Sequence, residues 1–190
     1  MSISLATGQR ISLDKEAGVA LSAVRMGLGW DVAKSKGFFG GGSSIDLDAS
    51  CGVFDAERNL LDVVWFAQLV SNDGSIRHSG DNLTGAGDGD DETILVDLSR
   101  VPPAVKSLVF TVNSYRGQSF DTVQNAFCRI VNPQSGVEVA RYNLSAQGGH
   151  TAMVMAKLYR HNDEWKMHAI GETASGRTFQ DIVPAIAPHL

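Results

Sequence analysis

The sequence predicts an all-β fold, a β-sandwich of two antiparallel sheets with a few short helices, on three observations. Apolar and polar residues alternate along most of the chain, and helical periodicity is scarce. The alternating runs recur about ten times at intervals of roughly ten to fifteen residues, with turn-forming residues between them. No strand–helix alternation is present of the kind that builds a parallel sheet. A length of 190 residues suits a single domain, 1–190, around one substantial core.

In chain order, SISL and RISL flank ATGQ and read as a hairpin. GVALSAVRMGL continues as a third strand whose alternation slips near Ala23. KGFFGGGSS reads as a loop between closely flanking strands. SSIDLDASCGVF is the cleanest strand: Ile45, Leu47, Ala49, Cys51 and Val53 point one way, and Ser44, Asp46, Asp48 and Ser50 the other. LLDVVWFAQLV is nearly all apolar and predicts a buried central strand. TILVDL, SLVFTVNSY, NAFCRIV, VEVARYNL, TAMVMAKLYR and EWKMHAIGE follow as strands, the last two joined by a tight turn at HND. Helical candidates are few: a turn around LSRVPPAV, and the tail RTFQDIVPAI, where Phe179, Ile182, Val183 and Ile186 fall at helical spacing and Pro184 counts against a helix.

Composition excludes several classes of function. Apolar residues make up 43% and charged residues 19%, the balance of a soluble globular protein. The net charge is -5 and no basic stripe appears, so a nucleic-acid partner held through phosphates is not expected. No apolar run is long enough to span a membrane, and MSISLATGQR lacks the features of a secretory signal. Cys51 and Cys128 match no zinc or redox spacing and fall among core-facing residues. Cytoplasmic residence is the expectation.

The stretch GDNLTGAGDGDDE, Gly80 to Glu92, concentrates five carboxylates and four glycines with no cationic residue among them. Crowded carboxylates repel, and a bound cation relieves the repulsion. Hard oxygen donors without cysteine select calcium or magnesium, and calcium takes about six to eight oxygens. Asp81, Asn82, Asp88, Asp90, Asp91 and Glu92 supply side-chain oxygens, and the backbone around Gly85 and Gly87 supplies carbonyls at conformations glycine reaches easily. The spacing fits neither an EF-hand nor a phosphate-binding loop. Asp46 and Asp48 leave one face of their strand about 7 Å apart, and Asp31 ends GLGWD at a strand terminus. With sandwich loops meeting at one end, these residues complete the coordination, and two calcium ions per chain are the expectation. His78, just before the loop, reads as a surface histidine.

GLGWD, IDLDAS, HSGDNLTGAGDGDDE, QSF, NAFCRIVN, VARYNL and TAMVMAKLYRHNDEWKMHAIGE occur in this order, and in them the chain resembles the TerD family of tellurite-resistance and general stress proteins. The resemblance covers nearly the whole chain. It implies a calcium-binding β-sandwich in cytoplasmic proteins linked to tellurite, phage and oxidative stress. Its calcium residues carry over to Asp31, the aspartates of IDLDAS, Asp81, Asn82, Asp90, Asp91 and Glu92. Ala86 departs from the glutamate many relatives carry, which makes this loop less acidic by one.

The functional expectation is a non-enzymatic, calcium-binding adaptor or sensor of stress. Its partners would be proteins of a stress-response complex, with the membrane surface as a further place of action. A metal-dependent hydrolase of a phosphate compound is the alternative, suggested by the adjacent acids of DDE. Thiol handling of tellurium is a third reading, disfavoured by the apolar setting of both cysteines.

Overall fold

The computed structural model describes residues 2–32, 47–80, 89–144 and 148–190. Twelve strands lie among them: β1 (Ile3–Leu5), β2 (Arg10–Ser12), β3 (Ala23–Val32), β4 (Asp48–Phe54), β5 (Leu60–Val64), β6 (Ile76–His78), β7 (Glu92–Asp97), β8 (Ser107–Asn113), β9 (Val123–Val131), β10 (Glu138–Asn143), β11 (Ala152–His161) and β12 (Glu164–Ala174). Two short helices, α1 (Leu13–Ala17) and α2 (Phe179–Ile186), accompany them. The strands form two six-stranded sheets, ordered β1-β10-β9-β3-β7-β6 and β2-β12-β11-β8-β4-β5. The all-β sandwich expected from the alternation is therefore what the chain builds. β1 is the exception to the antiparallel pattern, since it runs parallel to β10.

The alternation explains the layers. Met26, Leu28, Ile94, Phe110, Ile130 and Met167 point between the sheets, as do Leu47, Ala49, Cys51 and Val53 along one face of β4. Cys51 and Cys128 are free thiols buried in this core, and desolvation pushes both well above the ordinary thiol range. A second apolar layer lies on the outer face of the second sheet, where Phe54, Val109, Val154 and Ile170 meet Phe179, Ile182 and Ile186 of α2. Asp181 fixes the start of α2 by accepting the backbone N–H groups of Thr178 at 2.9 Å and Arg177 at 3.0 Å. Pro184 sits inside the helix without ending it.

β7 to β12 appear close to where the alternation places them, and HND is a two-residue turn with Asn162 and Asp163 both at positive φ. Elsewhere the structure corrects the sequence reading. SISL and RISL do not form a hairpin: β1 joins the first sheet through β10, and β2 joins the second through β12. ATGQ makes a turn, with Gln9 N–H donating to Ala6 O at 3.0 Å, but the turn carries the chain from one sheet to the other. The segment before Ala23 is not strand; LDKEA forms α1, closed by Gly18 in the left-handed conformation. LLDVVWFAQLV is not a central strand, because β5 is an edge with Leu60 38% and Leu61 46% exposed, and the chain then turns between Trp65 and Gln68. LSRVPPAV forms successive turns, as expected, whereas Ile76–His78 adds a strand that the alternation did not reveal. Among the described residues, no helix is long and apolar enough to cross a membrane.

Candidate metal centre

The ends of β3 and the starts of β4 and β7 meet at one end of the sandwich. Leu28 of β3 lies beside Glu92 of β7, and its carbonyl accepts Asp91 N–H at 2.8 Å. Asp91 Oδ2 in turn accepts Trp30 N–H at 2.7 Å. Across the sandwich, Glu92 Oε2 accepts Ala49 N–H at 2.7 Å, which brings the start of β4, and with it Asp48, to the same end. Asp31 follows Trp30 and accepts an amide hydrogen bond from Asn125 at 2.8 Å. Asp31, Asp48 and the consecutive Asp90, Asp91 and Glu92, drawn from three places in the sequence, thus lie toward the same end of the sandwich.

The glycines of GLGW have a packing role that the sequence alone does not display. On β3, a Cβ at Gly27 would overlap the Asp90 carboxylate, and one at Gly29 would overlap the Phe127 ring and the Gly89 carbonyl. The two glycines are the slots into which the end of the acidic loop settles against the sheet.

The carboxylates differ in their surroundings. Arg129 of β9 holds Asp90 at two points, Nε to Oδ1 at 2.7 Å and Nη2 to Oδ2 at 3.1 Å. The same guanidinium reaches Glu138 at 3.2 Å, and Glu138 also pairs with Arg141. Asp91 stands among like charges. Burial raises its carboxyl to about 6, with the charges of Asp31, Glu92 and Asp90 adding to the shift and the Trp30 N–H opposing it. Asp48 is 4% exposed, so the polar face of β4 is buried and not a solvent face. Glu92 is equally enclosed, beside His78 Nε2 at 3.2 Å.

His78 corrects the expectation of a surface histidine, because it is 6% exposed. Its Nδ1 accepts Gly80 N–H at 3.0 Å, which leaves Nε2 to face Ala49 O and Glu92, both at 3.2 Å. The imidazole thereby links β6, β4 and β7 at the base of the acidic loop. Neither His78 nor Arg129 stood out in the sequence as part of the site. Arg129 lies 39 residues from Asp90, and only the sheet order, β9-β3-β7, brings them together.

Asp46, Asp81, Asn82, Gly85, Gly87 and Asp88 fall outside the described residues. Among the described residues, no group of three acidic, imidazole or thiol side chains is disposed to hold a metal ion by itself. In their chemistry the carboxylates whose charges act on Asp91, those of Asp31, Glu92 and Asp90, are hard oxygen donors of the kind calcium takes. A cleft of about 590 Å³ nearby is lined by Trp30, Asp31, Gly89, Asn125, Phe127 and Arg141.

The TerD domain model matches residues 1–184. The tellurium resistance protein TerZ of Serratia marcescens is 52% identical over 184 residues, spanning 95% of this chain and 94% of the relative. General stress protein 16U of Bacillus subtilis is 44% identical, spanning 93% of each. Among solved structures, a homologue of the telluride resistance protein TerD from Streptomyces coelicolor superposes with a TM-score of 0.66 at 22% identity, covering 83% of this chain and 92% of that one, and so supports the fold. Fold, acidic loop and full-length similarity agree that the chain belongs to the TerD family.

Proposed function

We infer that the chain is a cytoplasmic, calcium-binding stress-response protein that works without catalysis, as an adaptor or sensor. The stress-response role follows the relatives, which are named for tellurium resistance and general stress. The calcium role rests on one observation above the others: Asp91 is partly buried, and the like charges of Asp31, Glu92 and Asp90 add to burial in holding its carboxyl above the ordinary range. Asp31, Asp48 and Asp91 would hold the ion from three strand ends, together with the oxygens of Asp46 and the loop residues Asp81, Asn82, Asp88 and the carbonyls near Gly85 and Gly87. Asp90 and Glu92 would support the loop through Arg129, Ala49 N–H and His78, and each keeps oxygen lone pairs for direct coordination. A bound ion removes the repulsion at Asp91, orders the end of the sandwich and changes the charge it presents to a protein partner or an anionic membrane.

Isothermal titration of chelator-stripped protein with calcium, repeated in millimolar magnesium, tests this reading. Binding at two ions per chain that survives magnesium is the expected result. Absence of calcium binding would overturn the metal role. Saturation at one ion would retain the role and correct the count.

A further inference from the structure

The calcium reading leaves a second charged feature unexplained, on the outer face of the second sheet. The register sets Arg10 of β2 opposite His168 of β12, and His168 opposite Lys157 of β11. Directly paired residues share a face, so three basic side chains stand in one row at strand spacings of about 5 Å. The turn after α2, Ala187–His189, closes over this row, with the His189 ring 6.4 Å from that of His168 and its carbonyl accepting a hydrogen bond from Lys157 Nζ. His168 is only 8% exposed, and its Nδ1 is buried without a hydrogen-bond partner.

Nothing described in the structure neutralises this row. Among the described residues, no ion pair involves Arg10, Lys157 or His168. Burial lowers the His168 imidazole to about 4, and Arg10, Lys157 and His189 push the same way. Burial also lowers Lys157, aided by Arg10 and by Arg58 from the β4–β5 turn. Glu164, further along β12, is engaged by Ser12 Oγ at 3.1 Å. A protein with a net charge of -5 thus keeps an uncompensated basic cluster around a buried, unpartnered ring nitrogen.

A polar atom left buried without a partner is costly, and like charges in a row add to that cost. One type of ligand relieves both. We propose that Arg10, Lys157, His168 and His189 form a binding site for a phosphate group. Arg10 offers a planar fork to two oxygens, Lys157 a point charge, and His168 a ring nitrogen that donates once protonated. Binding of the dianion therefore draws a proton onto His168. The site lies on the outer face beside the end of α2, uses none of the acidic-loop residues, and does not depend on the calcium reading.

The test is a titration of the chelator-stripped protein with inorganic phosphate, followed by the histidine ring resonances in NMR, with chloride at matched ionic strength as control. Saturable movement of the His168 resonances, with a rise in the pH at which the ring titrates, is expected. Arg10→Gln, on an exposed side chain, should weaken binding by roughly tenfold without altering the fold, and Lys157→Met by a similar factor. His168→Gln should abolish the proton uptake. Asp91→Asn should leave phosphate binding unchanged, which separates this site from the calcium centre. A His168 signal that ignores phosphate, or moves equally with chloride, would overturn the proposal.

Discussion

Asp90 and Asp91 are neighbours with opposite electrostatic situations, and a pair of substitutions separates them. Asp90 meets the Arg129 guanidinium at two points in a largely covered setting, so Asp90→Asn should cost about 2 kcal/mol in chemical denaturation. Asp91 is the reverse case. Its carboxyl titrates near 6 in the fold against about 3.9 in an unfolded chain, so the folded state binds the extra proton between those values. Stability from this group is present at low pH and lost as pH rises through 6. In chelator, Asp91→Asn should therefore raise the melting temperature at pH 7.5, and the gain should vanish by about pH 4. An equal gain at both pH values would assign the effect to something other than this charge. The acidic residues themselves were legible in the sequence, because crowding of like charge is a local property. Arg129 was not, since its pairing with Asp90 depends on which strands become neighbours.

At the scale of the element, strands are legible where alternating runs are bounded by turn-forming residues, as from β7 to β12, whichever strands become their neighbours. Apolar content misled where it was taken for position: the run around Leu60–Val64 reads as a sheet centre, yet nothing in a residue's hydrophobicity tells how many strands will flank it. A tight turn is equally ambiguous, because ATGQ serves a change of sheet as readily as a hairpin. α2 was legible from the spacing of Phe179, Ile182 and Ile186, and its docking gives a test. A Cβ at Gly52 would overlap the Phe179 ring, so Gly52 is the socket for the first turn of the helix. Gly52→Ala should destabilise the protein by about 2 kcal/mol through overpacking. Phe179→Ala, which leaves the socket empty, should cost about 3–5 kcal/mol. Equilibrium unfolding of both variants checks the contrast, and a neutral Gly52→Ala would mean that α2 does not press on the sheet.

For the whole molecule, calcium and folding are linked if the ion binds only the folded end of the sandwich. At a hundredfold excess over its dissociation constant, one ion adds about 2.7 kcal/mol, which for a domain of this size raises the melting temperature by roughly 5–10 °C. A melt in chelator against one in calcium reads this directly, and Asp91→Asn should remove most of the difference. The crossing of the first strands has a further consequence, in the order of events. β1 waits for β10, with Ile3 paired to Ala140, and β2 waits for β12, with Ser12 paired to Lys166. A ribosome therefore releases both strands long before their partners exist, and neither can pair until more than a hundred further residues have been made. Each sheet thus completes one edge only when a strand from the second half of this sequence arrives to pair with one from its first twelve residues.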